Sequence, residues 1–537
     1  MNRYSLKWNR TPGRTFSRLG QAILVSILAS LLLTGDGLAI FVTRKLSGVM
    51  PEGWDITEAL EISPDGNYAV YCRGKMVGAA YTSVLFSVPL DGGEPTPLSS
   101  ETHELARVGR YEITSDSQYV VYLADAEGIN KLELYSVPIT GGTALRLNKD
   151  LPDFGDVNNF SLTPNGQGVV YLADYVTDHV YELWSTWVAG GEQYQLNDIH
   201  APFSNVSDFK ITPNSLGVVY KADEAAVMGY ELYSVYINGA GRRHLADYAQ
   251  KFDISSDNQS VVYTANPDWH FTDLYSVSIL GGAPLKLSDD FAGAGGSVNS
   301  FQITPDSERV VFKADPETQY LQELYSVPLI GGDPVRLNTP LVPNREIQRY
   351  QVAGERVVYL SDPVALDKFE LFSVPVTGGE VVRLSPDLPP TSDVFPGYQI
   401  TPNKLGVVFM ANLNQVDVQE LFSVPVAGGV IHPLSGELVE GGGIFTFLIS
   451  PNNLGVIYLA DKLEVDVEEL FLVSIYGGAS TRLNPPLVAG GSVMPVFGLT
   501  PDSQRLVYAA DQDTEDVVEL YLTQEGFGVY LPVAARP

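Results

Sequence analysis

Short apolar runs alternate with turn-forming residues along most of the chain. The clearest runs are β-branched and aromatic on consecutive positions, as in Val120-Val121-Tyr122 and Val218-Val219-Tyr220. Consecutive apolar positions predict a strand that is buried on both faces. Such runs follow turns like Ser63-Pro64-Asp65-Gly66, where proline presets φ and glycine accepts a positive φ. No sustained helical periodicity occurs beyond the N-terminal segment, so the pattern predicts an all-β protein.

The order of runs and turns recurs ten times. One copy comprises residues 301–307, 310–315, 323–328 and 335–338. The residue before the first turn aligns the copies at Ile62, Ile113, Leu162, Ile211, Ile254, Ile303, Val352, Ile400, Ile449 and Leu499. Successive spacings are 51, 49, 49, 43, 49, 49, 48, 49 and 50 residues. A period near fifty residues predicts a propeller or a solenoid.

Each copy has room for four short strands, with glycine pairs such as Gly141-Gly142 as the hairpin turn between the last two. Four antiparallel strands per copy form a β-propeller when arranged radially, because closing the ring hides the sheet edges. We favour one ten-bladed ring, and two smaller propellers are the alternative. A division would fall at the 43-residue spacing or at the seventh copy, which carries Val352-Ala353-Gly354-Glu355 in place of a Pro-Asp turn.

Two segments are candidates for the strand that completes the ring. One is Val529-Tyr530-Leu531-Pro532-Val533 at the C-terminal end. The other is Val42-Thr43-Arg44-Lys45-Leu46-Ser47, which resembles the Arg-Leu-Asn end of the other copies. The sequence leaves both alternatives open.

The Ser/Thr-Pro-Asp-Gly turn, the apolar strand and the Tyr-Ser-Val-Pro strand resemble the WD40-like (PD40) repeats of the TolB-type propeller family. The resemblance covers about residues 55 to 523. It implies a β-propeller fold. Since the family includes both protein-binding envelope proteins and the non-catalytic propellers of some peptidases, it also implies an exported docking module by analogy.

The N-terminal segment has the pattern of a secretory signal peptide. Five bases (Arg3, Lys7, Arg10, Arg14 and Arg18) precede a largely aliphatic run over residues 19–33, and Gly37-Leu38-Ala39 supplies small residues for cleavage. The run is shorter than the roughly 20 residues that span a bilayer. We therefore predict a signal peptide at 1–39 and a propeller at 40–537, with an uncleaved anchor as the alternative. The mature protein would be periplasmic, at the cell surface or secreted.

Composition excludes several function classes. The net charge is −31, from 64 acidic and 33 basic residues, and no basic patch is present, which argues against nucleic-acid binding. Cys72 is the single cysteine, so an intrachain disulfide and a cysteine-rich metal site are excluded. We expect Cys72 to be a buried strand residue.

Seven copies contain two acids separated by eight residues, at the loop between the second and third strands. The pairs are Asp125 and Glu133, Asp174 and Glu182, Asp223 and Glu231, Asp315 and Glu323, Asp362 and Glu370, Asp461 and Glu469, and Asp511 and Glu519. In one interpretation the aspartate caps backbone amides and the glutamate stands at the exposed start of a strand. In the other, the fourteen acids form a rim that binds a basic protein partner or divalent cations.

Candidate catalytic and metal-binding residues are few. The six histidines lie apart, and no Gly-x-Ser-x-Gly motif occurs. Residues 511–516 place Asp511, Asp513 and Glu515 at alternate positions, so calcium is the alternative to our expectation of no cofactor. In the fifth copy Asp268, Trp269 and His270 could contact a sugar.

These observations predict an exported, monomeric, non-enzymatic β-propeller that docks a protein partner in the cell envelope or outside the cell. The predicted protein binds no nucleic acid and, once the signal is cleaved, has no membrane span. The alternative function is an extracellular propeller that binds a glycan or another small ligand, with hydrolase or lyase activity as a further option.

Overall fold

The computed structural model describes residues 40–78, 80–100, 106–126, 131–198, 205–224, 229–267, 270–288, 296–315, 321–363, 367–413 and 418–526. Within these ranges the chain forms forty strands joined by turns and links, and no helix. The described part of the chain accordingly offers no helix that could cross a bilayer. The predicted signal peptide at 1–39 and the candidate strand at 529–533 lie outside the described residues.

The strands, numbered in chain order, form ten four-stranded antiparallel sheets, which we call blades 1 to 10. Blades 1 to 3 comprise β2 Asp55–Ile62, β3 Tyr68–Val77, β4 Ala80–Pro89 and β5 Thr96–Pro97; β6 Val108–Ile113, β7 Tyr119–Ala124, β8 Glu133–Pro138 and β9 Leu145–Arg146; and β10 Val157–Leu162, β11 Gly168–Thr177, β12 Val180–Trp187 and β13 Tyr194–Gln195. Blades 4 to 6 comprise β14 Asn205–Ile211, β15 Gly217–Asp223, β16 Glu231–Tyr236 and β17 Arg243–Ala246; β18 Ala249–Ile254, β19 Ser260–Ala265, β20 Asp273–Ser278 and β21 Leu285–Lys286; and β22 Val298–Ile303, β23 Arg309–Ala314, β24 Glu323–Pro328 and β25 Val335–Arg336.

Blades 7 to 9 comprise β26 Ile347–Ala353, β27 Arg356–Ser361, β28 Glu370–Pro375 and β29 Val382–Arg383; β30 Gln399–Ile400, β31 Gly406–Ala411, β32 Glu420–Pro425 and β33 His432–Pro433; and β34 Ile444–Ile449, β35 Gly455–Ala460, β36 Glu469–Ser474 and β37 Thr481–Arg482. Blade 10 combines β38 Val493–Leu499, β39 Arg505–Ala510 and β40 Glu519–Gly526 with β1 Ile40–Lys45. We call the strands of each blade a, b, c and d in the order of hydrogen bonding, with strand a innermost.

The N-terminal strand closes the ring. β1 pairs antiparallel with β40 from Ile40 opposite Gly526 to Lys45 opposite Tyr521. The Leu46 amide then donates to the Leu520 carbonyl at 2.7 Å, as the Leu147 amide donates to the Leu134 carbonyl at 2.8 Å in blade 2. Of the two candidates for the closing strand, the segment beginning at Val42 is therefore confirmed.

The apolar sides of the blades pack against each other. One cluster joins Val121 and Leu134 of blade 2 to Phe160 and Tyr171 of blade 3. Another contains Leu46, Tyr71, Val507 and Leu520, and it joins blade 10 to blade 1. The prediction of strands buried on both faces is confirmed, because a propeller sheet lies between two others.

Hydrogen bonds cross the two places where a division into two propellers was considered. Ser276 of blade 5 donates through its hydroxyl to the Leu329 carbonyl of blade 6 at 3.1 Å. Gln302 of blade 6 donates through its amide group to the Tyr350 carbonyl of blade 7 at 3.3 Å. The single ten-bladed ring is confirmed and the two-propeller alternative is wrong.

The serine of the Tyr-Ser-Val-Pro strand links neighbouring blades. Its hydroxyl donates to a carbonyl of the next blade at 2.6 Å for Ser87, 2.7 Å for Ser136 and 2.7 Å for Ser234. The serine is therefore part of the packing between blades as well as part of a strand.

The ring has two different faces. The turns between strands a and b and between c and d lie on one side, which we call the turn face. The loops between b and c and the links between blades lie on the other, which we call the loop face. The two irregular copies keep the same four-strand arrangement. In the seventh copy a tight turn at Gly354, whose φ is +61°, joins strands a and b. At the 43-residue spacing, only two residues separate β17 from β18.

Candidate functional site

The fourteen predicted acids lie where strand b ends and strand c begins, at the base of the loop face. Thirteen of these side chains are buried, and Asp223 is half-buried. The expected exposure of the glutamates is therefore wrong. Strand pairing explains the burial, since each glutamate pairs across the sheet with the residue directly before the aspartate of its pair, as Glu469 does with Ala460.

The aspartates hold the loops together through backbone amides. Asp362 accepts from the Glu346 amide at 2.6 Å and from the Asp367 amide at 3.3 Å. Asp461 accepts in the same way from the amides of Gly443 and Asp466. One carboxylate thus joins the incoming link of its own blade to the loop that follows, and the capping interpretation is confirmed for these aspartates.

Four of the seven glutamates pair with arginines from the outermost strand of the same blade. The separations between the guanidinium nitrogen and the carboxylate oxygen are 3.1 Å for Arg146 and Glu133, 3.0 Å for Arg336 and Glu323, 3.2 Å for Arg383 and Glu370, and 2.9 Å for Arg482 and Glu469. In blade 10 the N-terminal strand supplies Lys45 as the partner of Glu519. An arginine thirteen residues after each of the four glutamates with an arginine partner was the sequence signal for the ion pair.

A different set of acids is exposed on the loop face of blades 9 and 10. Its members are Glu437, Glu440, Glu464, Asp466, Asp513, Glu515 and Asp516. We call these seven residues the acidic patch. The nearby bases are already engaged, since Lys462 bonds to the Ser480 hydroxyl at 2.8 Å and Lys45 pairs with Asp513 at 3.5 Å. Sequence analysis named Asp513 and Glu515 only as a calcium candidate and missed the patch as a whole, because its acids come from three separate segments of the chain.

Two hairpins with long strands mark the loop face of blades 1 and 3. Their strands b and c are longer than in the other blades, and their exposed residues include Met76 and Val176, which are 64% and 78% exposed.

Near the tip of the blade 3 hairpin, possible metal-ligand atoms of Asp174, Asp178 and His179 lie within 4.8 Å of one another. Oxygen and imidazole donors could hold a divalent cation, although Asp174 already accepts from the His179 amide at 3.0 Å.

The calcium candidate at residues 511–516 forms a tight loop. Asp511 accepts backbone hydrogen bonds from Ser492 and Asp516, while Asp513 faces Lys45. Its carboxylates do not form a three-ligand group within the described part of the chain. Calcium binding there stays a prediction.

The remaining residues that the sequence singled out are Asp268, Trp269, His270 and Cys72. Asp268 and Trp269 fall outside them, and His270 is exposed with its ring centre 6.3 Å from that of Phe271. Cys72 is buried in β3, as expected, and burial raises the pKa of its thiol to about 12.

The innermost strands differ around the ring. Strand a of blades 2 to 7 carries exposed polar side chains such as Arg110, Lys251 and Arg349, whereas strand a of blade 9 carries Phe445, which is 52% exposed.

Glu61 on strand a of blade 1 accepts a hydrogen bond from the Ile113 amide at 3.2 Å. Burial raises the pKa of its carboxyl to about 6 despite this bond.

Comparisons with known proteins concern the fold. No protein-family profile and no curated protein matches the sequence. Among solved structures, a putative TolB from Agrobacterium tumefaciens is 18% identical with a TM-score of 0.27, and the match covers 44% of this chain and 81% of that one. The chain is a ten-bladed β-propeller, as the repeat pattern predicts and the ten four-stranded sheets show.

Two further matches are propeller-containing peptidases. A structure from a study of two prolyl endopeptidases is 12% identical with a TM-score of 0.38, and prolyl oligopeptidase B from Galerina marginata is 11% identical with a TM-score of 0.37. They cover 67% and 66% of this chain, and in both cases 55% of the matched chain. This chain thus spans about half the length of these two matched chains.

Proposed function

We propose that this β-propeller is an exported, non-enzymatic module that docks a basic protein partner through the acidic patch on its loop face. The observation that supports the proposal is the exposure of seven carboxylates on two neighbouring blades, of which Asp513 pairs with Lys45, while Lys462 bonds to the Ser480 hydroxyl outside the patch. Exposed charges of one sign attract a partner of the opposite sign and accelerate its association.

The buried acids play a different part in this proposal. Their carboxylates hold the loops and strands that carry the patch, so variants at Asp461 or Glu469 would test folding rather than docking. Export rests on the charged, apolar and small-residue sequence of the N-terminal segment.

The decisive experiment is a pull-down from envelope and extracellular extracts with a charge-reversed patch. The variant changes Glu437, Glu440, Glu464 and Glu515 to Lys, and all four are exposed glutamates outside the buried network. We expect the partner captured by the unmodified protein to be lost, because the variant would repel a basic surface.

The matched control makes the same change of charge on the turn face. Glu308, Asp333, Glu355 and Glu380 are exposed there and are changed to Lys in the control variant. We expect the control to capture the same partner as the unmodified protein. Equal capture by the patch variant would refute docking through the acidic patch, and turnover in a broad hydrolase screen would refute the non-enzymatic part of the proposal.

A further inference from the structure

On the turn face, two blades place an arginine at the start of strand b, where its side chain fills the groove next to the serine of strand c. Arg309 opens strand b of blade 6, and its Nε donates to the Ser326 hydroxyl at 2.8 Å. One of its terminal nitrogens also donates to the Ser326 carbonyl at 3.2 Å. In blade 7, Nε of Arg356 donates to the Ser373 hydroxyl at 2.8 Å. Both arginines sit opposite the proline of the Ser-Val-Pro strand.

Blade 8 has a glycine at the same position. Gly406 opens β31 opposite Pro425, and Ser423 stands where Ser326 and Ser373 stand in the other two blades. A cavity of about 260 Å³ lies here, between blades 8 and 9. Its lining includes Gly406, Ser423, Leu405 and Tyr476. The missing side chain of Gly406 leaves this groove open.

The serine in this cavity can still accept a hydrogen bond. The Ser423 hydroxyl donates to the Ile475 carbonyl of blade 9. The Ser373 hydroxyl donates to the Val426 carbonyl of blade 8 in the same manner, and it accepts from Arg356 at the same time. A hydroxyl oxygen has two acceptor positions. Blade 7 therefore shows that one serine hydroxyl can donate a hydrogen bond to the next blade and accept one from a guanidinium at the same time.

We propose that the cavity between blades 8 and 9 binds the guanidinium group of an arginine on a basic peptide segment of a partner. The incoming group would take the place that Arg309 and Arg356 occupy in blades 6 and 7. Tyr476, which is 69% exposed, lines the cavity together with His432, and the two rings are in edge-to-face contact with their centres 6.0 Å apart, so the incoming cation would lie beside aromatic side chains. The net charge of −31 attracts such a segment.

Two other cavities on the same face differ from the one between blades 8 and 9. Between blades 9 and 10, at a cavity of about 330 Å³, Gly455 also opens strand b, but Leu472 stands at the position that Ser423 has in blade 8. The cavity of about 580 Å³ between blades 4 and 5 keeps Ser234 but is lined by Arg243, which would repel a second guanidinium. Blade 8 therefore combines an open groove, a serine acceptor and the absence of an arginine among the lining residues.

The test uses the full chain and two acetylated, amidated tripeptides, Gly-Arg-Gly and Gly-citrulline-Gly. Citrulline keeps the shape of arginine but has no charge. Binding is followed by saturation-transfer NMR. We expect saturable binding of the arginine peptide at least about tenfold tighter than that of the citrulline peptide, since hydrogen bonds to charged groups are the stronger ones.

A variant whose own side chain fills the cavity tests where the peptide binds. Gly406→Arg copies blade 6, where Thr304 packs beside Arg309 as Thr401 packs beside Gly406. We expect it to weaken binding of the arginine peptide by about tenfold or more, because its own guanidinium occupies the cavity. Gly455→Arg makes the same change in blade 9, where Leu472 stands at the position that Ser423 has in blade 8, and should bind the peptide as the unmodified protein does.

Three results would overturn the inference. They are absence of saturable binding, equal binding of the arginine and citrulline peptides, and binding that persists unchanged in Gly406→Arg. The peptide comparison needs no variant, so equal binding of the two peptides overturns the inference even when a substitution harms folding. Because the acidic patch on the opposite face also attracts a cation, the variant with Glu437, Glu440, Glu464 and Glu515 changed to Lys is measured as well, and it should bind the arginine peptide as the unmodified protein does.

Discussion

Replacing Asp461 tests whether the buried aspartates act as backbone acceptors. Asp461 is 4% exposed, and its two oxygens accept from the amides of Gly443 and Asp466. Alanine removes both acceptors. Asparagine keeps one acceptor without the charge, and blade 8 uses this arrangement, since Asn412 accepts from the Asp393 amide at 2.6 Å.

The expected costs follow from the hydrogen bonds that are lost. Leaving a buried amide without an acceptor costs about 1–3 kcal/mol, so Asp461→Ala should destabilise the loop base by about 2 kcal/mol. That free energy corresponds to about a thirtyfold increase in the local opening equilibrium. Asp461→Asn should cost less than about 1 kcal/mol, because the Gly443 amide keeps its acceptor.

Native-state hydrogen exchange measures this difference where it occurs. Exchange of the Gly443 amide, followed by mass spectrometry, reports local opening of a single blade within a large ring. We expect about thirtyfold faster exchange in the alanine variant and a change of only a fewfold in the asparagine variant. Equal acceleration in both variants would refute the capping argument, because charge and not acceptor geometry would then control stability.

Two further predictions concern ring closure and pH. Leu46→Ala should destabilise the protein by about 2–5 kcal/mol, because Leu46 is 4% exposed in the cluster between blades 10 and 1. Its thermal midpoint should fall well below that of Val42→Ala, which changes a residue that is 37% exposed on the same N-terminal segment, and similar midpoints would contradict closure by this segment. Burial raises the pKa of Glu61 from 4.5 to about 6, so the folded state holds this proton more tightly and its contribution to stability is lost as the pH rises through that window. Glu61→Gln should therefore show a smaller fall in melting temperature between pH 4.5 and 6 than the unmodified protein, and parallel falls would contradict the shift.

Most of the fold could be predicted because each blade is encoded locally. The Val-Val-Tyr runs, the Pro-Asp turns and the Gly-Gly hairpins fall within one fifty-residue copy, and the structure has strands and turns at these positions. The glycine pairs are an example, since Gly141 and Gly142 have φ values of +90° and +137°.

The candidate site was harder to predict because exposure depends on neighbouring blades. A regular spacing drew attention to the fourteen acids, yet that spacing reflects buried hydrogen bonds and ion pairs. The exposed acids at Glu464 and Glu515 follow no repeat pattern. The open groove at Gly406 becomes apparent only beside Arg309 and Arg356, after strand register has placed the three residues at equivalent positions.

The sequence by itself determined the strand pattern, the ten copies and the acidic character, because these follow from side-chain chemistry within short segments. Only the tertiary structure decided that the copies form one ring, that β1 completes the last blade and that the paired acids are buried. Those outcomes depend on contacts between residues far apart in the chain, such as Lys45 and Glu519, and on apolar surfaces that each sheet can bury only against its neighbours.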